Sequence, residues 1–370
     1  MLKFWRARLG LDMKTLLLIL CLSVSSQAVA SNAISVLFVN PSIEGEPFWA
    51  KVQAVMEVAA KQNNVKLEVI YGEGNRYIQL AELKKYLQYR ATPDYVVLLN
   101  YPGGAEQSMS LLEKFNVKFI TLEQTITGEE RAAILGPQAH FKFWLGEIYH
   151  DNYTAGFMLA KALLEKATAK AITPHVVAIN GHYGTESDAR SDGLKAYLKT
   201  QGLSLNQTVY AGWSKSEAMD KTKKLIKRYP DTNIIWSASD LMALGSFTAV
   251  KENNDRPYLI GGFDWLIDNL HLIKQKKLTA SVGGHYMMGG WALTTLVDYH
   301  NGHPFWQNNT KIEFELGVIT QDNILQYDYL IDIDDWSFLN FKQLSLFHTK
   351  QANYVFDVSQ LRKDKSQSEN

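Results

Sequence analysis

From residue 34 onward the chain repeats one unit, a short apolar run followed by a longer amphipathic stretch, at intervals of roughly 30 residues. Apolar runs at 34–39, 65–71, 95–99 and 117–122 read as strands. Helical spacing marks 47–62, 77–89 and 105–115 between them. In the first of these helices Pro47 occupies the opening turn, and Phe48, Val52, Val55, Met56 and Ala59 line one face. Such alternation predicts a parallel sheet with helices on both faces. The rhythm pauses over 123–149, an irregular stretch rich in aromatic and polar residues, and then restarts. Helices are expected at 153–164, 187–199, 216–228 and 243–253, with strands at 176–179, 209–213, 234–237 and 258–262. Two successive doubly wound units account for this pattern better than one very large sheet.

The first thirty residues follow a different rule. Lys14 supplies a positive end, residues 16–22 an apolar stretch, and Ala28-Val29-Ala30 a small-residue cleavage pattern, so 1–30 is expected to be a secretory signal. The apolar stretch falls short of the about 20 residues that span a membrane. Translation starts at Met1 or at Met13. Cys21, the only cysteine, lies inside the signal and follows Leu20, where a lipoprotein signal needs a small residue. The mature chain is therefore expected to be unlipidated and free of cysteine, which removes disulfides, thiol catalysis and cysteine-ligated metals. Export without disulfides suits a bacterial periplasm. Residues 1–30 carry four of the 38 basic and one of the 38 acidic side chains, so the remainder has 34 against 37. That balance gives no basic surplus for nucleic acid.

In open α/β sheets ligands gather at the carboxyl ends of the strands. The segments to inspect are 40–49, 100–104, 123–124, 180–190, 213, 239–240, 263–265 and 283–286, all rich in side chains that hydrogen-bond or stack. Gly72-Glu73-Gly74 lacks the third glycine of a dinucleotide site. Gly103-Gly104 reads as a turn, with an anion-binding helix start as the alternative. His182, His285, His300 and His303 are scattered without metal spacing, and no cofactor is expected. Gly184-Thr185-Glu186-Ser187 is not a hydrolase elbow. A carboxylate pair of the glycosidase kind stays open, because acids abound.

At these strand ends the chain resembles the type I periplasmic sugar-binding proteins, the group of the ribose- and galactose-binding proteins and the autoinducer-2 receptor. The likeness runs from about residue 34 to 317. It rests on Val39-Asn40-Pro41-Ser42 with Pro47-Phe48-Trp49, on residues 119–124, and on Tyr149-His150-Asp151-Asn152 leading to Gly156. It continues through Gly184-Thr185 with Arg190-Ser191-Asp192-Gly193, Ser237-Ala238-Ser239-Asp240, and Gly261-Gly262-Phe263-Asp264. Repressors sharing this core carry an N-terminal helix-turn-helix, whereas this chain carries an export signal.

The resemblance implies two doubly wound parallel-sheet α/β lobes joined by a three-stranded hinge. Residues 31–150 plus 285–316 would form the first lobe and 151–284 plus 317–335 the second, with 336–370 as a C-terminal extension. Phe48 and Trp49 match an aromatic pair that stacks on the ligand ring, and Trp213 a stacking aromatic on the other lobe. Glu123 and Gln124 match an acidic–basic pair, with Gln124 replacing the basic member. Ser239 stands where an amide often sits, and Asp264 matches a carboxylate that accepts from hydroxyls. Asp240 reads either with this set or as a helix cap. Asp188 aligns with the family's first ligand arginine and Arg190 with a nearby structural one. Gly284 stands in place of a hinge glutamine, with His285 and Tyr286 adjacent. A pocket of this kind is more aromatic and less cationic than that of pentose binders, and an amine-bearing ligand fits it as well as a simple sugar. The resemblance further implies a monomer that binds a small polar, sugar-like ligand and docks on the permease of an ABC transporter or on a membrane sensor. The glycine pairs 283–284 and 289–290 are candidate points of compliance.

Overall fold

A computed structural model describes residues 33–123, 126–184, 186–251, 257–331, 333 and 335–361. The expected signal at 1–30, with Cys21 and the cleavage pattern, and Gln124 lie outside the described residues.

The first run of elements is β1 (Ile34–Asn40), α1 (Pro47–Gln62), β2 (Val65–Tyr71), α2 (Arg76–Tyr89), β3 (Tyr95–Leu98), α3 (Ala105–Lys114), β4 (Lys118–Leu122), α4 (Gly128–Ile134) and β5 (Trp144–His150). The second is α5 (Asn152–Ala169), β6 (Val176–Asn180), α6 (Glu186–Thr200), β7 (Leu205–Tyr210), α7 (Lys215–Arg228), β8 (Ile234–Ser237), α8 (Asp240–Lys251), β9 (Leu259–Phe263), α9 (Ile267–Lys274) and β10 (Ala280–Gly283). The chain then forms α10 (Met288–His300), α11 (Phe305–Asn308), β11 (Lys311–Phe314) and β12 (Gly317–Thr320).

Two sheets result, with orders β11-β5-β4-β3-β1-β2 and β12-β10-β9-β8-β6-β7. All pairs are parallel except β12, which runs antiparallel on the edge beside β10. Strands covered on both faces read as continuous apolar runs, as in fully buried β3. The edge strand β11 alternates exposed and buried residues. The chain passes from one sheet to the other three times: after β5, after β10, and between β11 and β12.

The stretch 123–149, expected to be irregular, contains α4 and the fully buried strand β5. Its sequence hides a strand because Gly146 and Glu147 interrupt the apolar run. Glu147 is buried only because Arg131 of α4 meets it bidentately, at 2.7 and 2.9 Å. The strand expected at 209–213 lies earlier, at β7, where polar Asn206, Gln207 and Thr208 sit on an edge.

Glycines 289 and 290 lie inside α10, where they serve close packing and not compliance. A Cβ on Gly289 would come 2.5 Å from the Val52 carbonyl of α1, and one on Gly290 would come 2.2 Å from the Phe341 ring. The chain after residue 335 wraps back onto this helix pair. Gln62 donates to the Leu339 carbonyl and accepts from Phe341 N, while the Phe356 ring stacks on Trp291 at 4.9 Å. Buried Asp298 of α10 accepts from Ser345 Oγ, Leu346 N and Tyr354 Oη. Val358 ends against Gly284 and Gly317, on two of the crossing segments. Among the described residues no helix is long and apolar enough to cross a membrane.

Candidate functional site

The carboxyl ends of both sheets border one cavity of about 320 Å³, within the range of small-molecule pockets. From the first lobe come the turn after β1 with Glu46, Phe48 and Trp49, Glu73 after β2, Tyr101 after β3 and Glu123 after β4. The second lobe supplies His182, Glu186 and Arg190 after β6, Trp213 after β7, Ser239 after β8 and Asp264 after β9. His285 enters from the crossing segment after β10.

Local sequence explains how the aromatic pair arrives there. Glu46 caps α1, its carboxylate accepting from Phe48 N at 3.3 Å and Trp49 N at 2.9 Å, which fixes both rings at the first turn. The two rings meet edge to face at 5.3 Å, and Phe48 also lies 4.4 Å from the His285 ring. On the opposite wall Trp213 is accommodated by Gly181, since a Cβ there would stand 2.1 Å from the indole.

Four cavity residues that are not glycine hold a left-handed backbone: Glu73 (φ 52°), Glu123 (φ 61°), Trp213 (φ 62°) and Asp264 (φ 109°). Each directly follows a strand or its first turn, and such conformations persist only where the surroundings over-determine them. At Asp264 the surroundings are explicit. Asp264 N donates to the Val282 carbonyl at 2.8 Å, and Trp265, fully buried, donates from Nε1 to the Ser281 carbonyl at 3.0 Å. Asp240 then accepts from Leu266 N at 2.9 Å and from Ser281 Oγ at 3.0 and 2.9 Å. Asp240 therefore braces the Asp264 turn and is not the cap of α8. Ser239 is the capping side chain, accepting from Met242 N at 3.3 Å while also lining the cavity.

Of the residues expected at the site, Phe48, Trp49, Glu123, Arg190, Trp213, Ser239, Asp264 and His285 are brought together around the cavity. Asp188 is not. Its carboxylate is spent within the second lobe, accepting from Asn180 Nδ2, Gly184 N and Tyr210 Oη. Arg190 borders the cavity, but its guanidinium is largely committed to the protein. Nε donates to Asn152 Oδ1 at 2.7 Å, Nη1 to the Ala238 carbonyl at 2.9 Å, and the group lies 4.7 Å over the Phe263 ring. Sequence reasoning missed Glu46, Glu73, Tyr101, His182 and Glu186 as cavity residues. Position just past a strand end was the one signal available for them, and it does not say which way a side chain turns.

Burial dominates the electrostatics. It raises the carboxyl groups of Glu46, Glu123, Glu186 and Asp264 above their ordinary values, and the Asp264 charge raises the other three further. It lowers the His285 imidazole to about 3, so that ring is neutral at physiological pH. Lys51, beneath the site, falls to about 8; its Nζ donates to the Trp265 carbonyl at 2.6 Å and lies 4.4 Å over the Tyr286 ring. No group of three His, Cys, Asp or Glu that could hold a metal occurs among the described residues.

A two-lobed α/β cleft walled by facing aromatics and carboxyl groups is the geometry of a capturing protein. A family model described as the periplasmic binding protein domain matches residues 36–304, well over half of the chain. The chain belongs to the periplasmic binding protein family. Membership makes it a binding protein and not an enzyme, which sets aside the glycosidase alternative. Among similar proteins, the ribose import binding protein of Haemophilus influenzae is 24% identical over 308 residues, 82% of this chain and 96% of the relative. The D-allose-binding periplasmic protein of Escherichia coli is 24% identical over 294 residues, covering 75% and 87%. A solved periplasmic sugar-binding protein from Pseudomonas fluorescens superposes with a TM-score of 0.77 at 27% identity, over 88% of this chain and 98% of that one.

Proposed function

We propose that this family member is exported to the periplasm, closes its lobes on a sugar or sugar-like ligand, and presents the closed form to the permease of an ABC transporter. The observation that carries the reading is the pairing of stacking aromatics with hydrogen-bonding acids on both walls of one cavity. Phe48, Trp49 and Glu123 stand on one side, and Trp213, Ser239 and Asp264 on the other. Flat apolar faces suit the C–H faces of a sugar ring, and carboxylates accept from its hydroxyls. The sugar-binding relatives support the same ligand class.

In this reading Phe48, Trp49 and Trp213 sandwich the ring, Glu123 and Asp264 hold hydroxyls, and His285 reports contact at the crossing segment. A ligand touching both walls binds the closed arrangement better than the open one, and that difference in affinity drives closure. Small-angle scattering of the purified monomer, with and without the ligand, tests it: the radius of gyration falls on binding, and the ligand is recovered chemically unchanged. An unchanged radius at saturation contradicts the closure reading, and sustained turnover of a glycoside contradicts binding as the whole activity.

A further inference from the structure

The charge of the cavity is lopsided. Among the described residues, five carboxyl groups border it, those of Glu46, Glu73, Glu123, Glu186 and Asp264, against the single guanidinium of Arg190. That guanidinium is tied to Asn152, Ala238 and the Phe263 face, and the nearby Lys51 ammonium is turned to the Trp265 carbonyl. Glu46 is likewise occupied as the cap of α1. Glu123 differs from these. It is 6% exposed, and its Oε2 has no hydrogen-bond partner among the described residues. The nearest imidazole nitrogen, His150 Nε2, is 3.8 Å away, and burial keeps that ring neutral. An acceptor buried without a donor costs free energy that a ligand donor recovers. Glu186 enters from the opposite lobe, and each of Glu123 and Glu186 feels the charge of Asp264 as a repulsion. Like charges on facing walls oppose closure, and a cation placed among them converts that repulsion into a bridge.

We propose that the ligand carries a positively charged amine, as an amino sugar does, and that Glu123, Glu186 and Asp264 seat the ammonium among the aromatic walls. The inference rests on the sugar-binding reading and narrows it to a cationic member of that class. Aromatic faces such as those of Trp49 and Trp213 add to the attraction for a cation. A ligand without the charge leaves the unpartnered Glu123 Oε2 and the facing Glu186 and Asp264 carboxyls with no cation between them, so cation selectivity follows from the same groups that bind.

The test is calorimetric titration at pH 7 of the purified protein with matched sets of sugars in gluco, galacto and manno configuration. Each set holds the neutral hexose, the 2-amino sugar and its N-acetyl derivative; putrescine and choline complete the panel. The expected result is one amino sugar binding at least tenfold more tightly than both neutral counterparts. Glu123→Gln and Glu186→Gln each lower the affinity for the amino sugar several-fold more than that for its neutral counterparts, so that most of the advantage is lost. Melting of the unliganded variants confirms folding, and either variant alone suffices if the other does not fold. Neutral members binding as tightly as the amino sugar overturn the inference and leave the sugar reading standing. Binding of putrescine or choline with no sugar bound sustains the cationic seat and overturns the sugar reading. An amine preference that survives both glutamine variants, or no binding of any cation, overturns the inference.

Discussion

Asp264 Oδ1 lies 3.4 Å from Nε2 of His285, so a carboxyl group at the end of β9 meets a ring on the crossing segment that leads out of the same lobe. The imidazole is lowered to about 3 by burial, so this is a contact of a neutral ring and not an ion pair near pH 7. Because the His285 ring also touches Phe48 of the first lobe at 4.4 Å, the three side chains link both walls through the crossing segment.

That arrangement has a measurable pH signature. Burial raises the Asp264 carboxyl to about 7, offset in part by Arg190 and Lys51, while Asp240 and His285 stand beside it. Between the ordinary carboxylate range and about 7 the folded chain holds a proton at Asp264 that the unfolded chain has released. The contribution of this group to stability therefore falls as pH rises through that window. His285, with its lowered value, contributes in the opposite direction between about 3 and 6.5, but it does so equally in parent and variant. Asp264→Asn is expected to melt above the parent by a margin that widens from pH 5 to pH 8. A gap that narrows with rising pH contradicts the assignment.

The stacking role of Trp213 can be tested at the ring itself and at the glycine behind it. Trp213→Ala is expected to weaken ligand binding at least tenfold, about 1.4 kcal/mol. Gly181→Ala places a methyl 2.1 Å from the original indole position, so the ring must move. It is expected to lose affinity comparably while the protein stays folded by circular dichroism. Wild-type affinity in Gly181→Ala would mean the indole does not contact the ligand.

The C-terminal segment is expected to be integral to the first lobe. Buried Asp298 accepts three hydrogen bonds from Ser345, Leu346 and Tyr354. Asp298→Ala leaves those donors unpaired and is expected to cost about 1–3 kcal/mol in urea unfolding, the range for buried polar groups left unsatisfied. Phe341→Ala, which empties the space beside Gly290, is expected to cost about 3–5 kcal/mol. Limited proteolysis should cut the tail first in both variants. Unchanged unfolding midpoints would show that the segment merely rests on the surface.

The parallel lobes were legible because buried strands such as β3 and β6 are uninterrupted apolar runs, and because α1 carries its own cap and stripe. β5 was not legible, since its buried Glu147 depends on Arg131, sixteen residues away and visible only in three dimensions. The site divides along the same line. Trp49, Glu123, Trp213 and Asp264 could be picked out at strand ends, and the cavity contains all four. Asp188 sits at an equivalent place in the sequence, yet Tyr210 and Asn180 draw its carboxylate away from the cleft. Side-chain direction at a turn is set by such partners, and no spacing rule encodes them.

The most direct test of the central claim is a thermal-shift screen of the purified protein against sugars, polyols, amino sugars and nucleosides, repeated with Trp213→Ala and Asp264→Asn. A ligand at 100 times its dissociation constant adds about 2.7 kcal/mol of stability, a readily visible shift. A sugar or amino sugar that raises the melting temperature, with the shift lost in both variants, is the predicted result. A screen in which no sugar shifts the protein, or one whose shift persists in both variants, would contradict ligand capture between the two lobes.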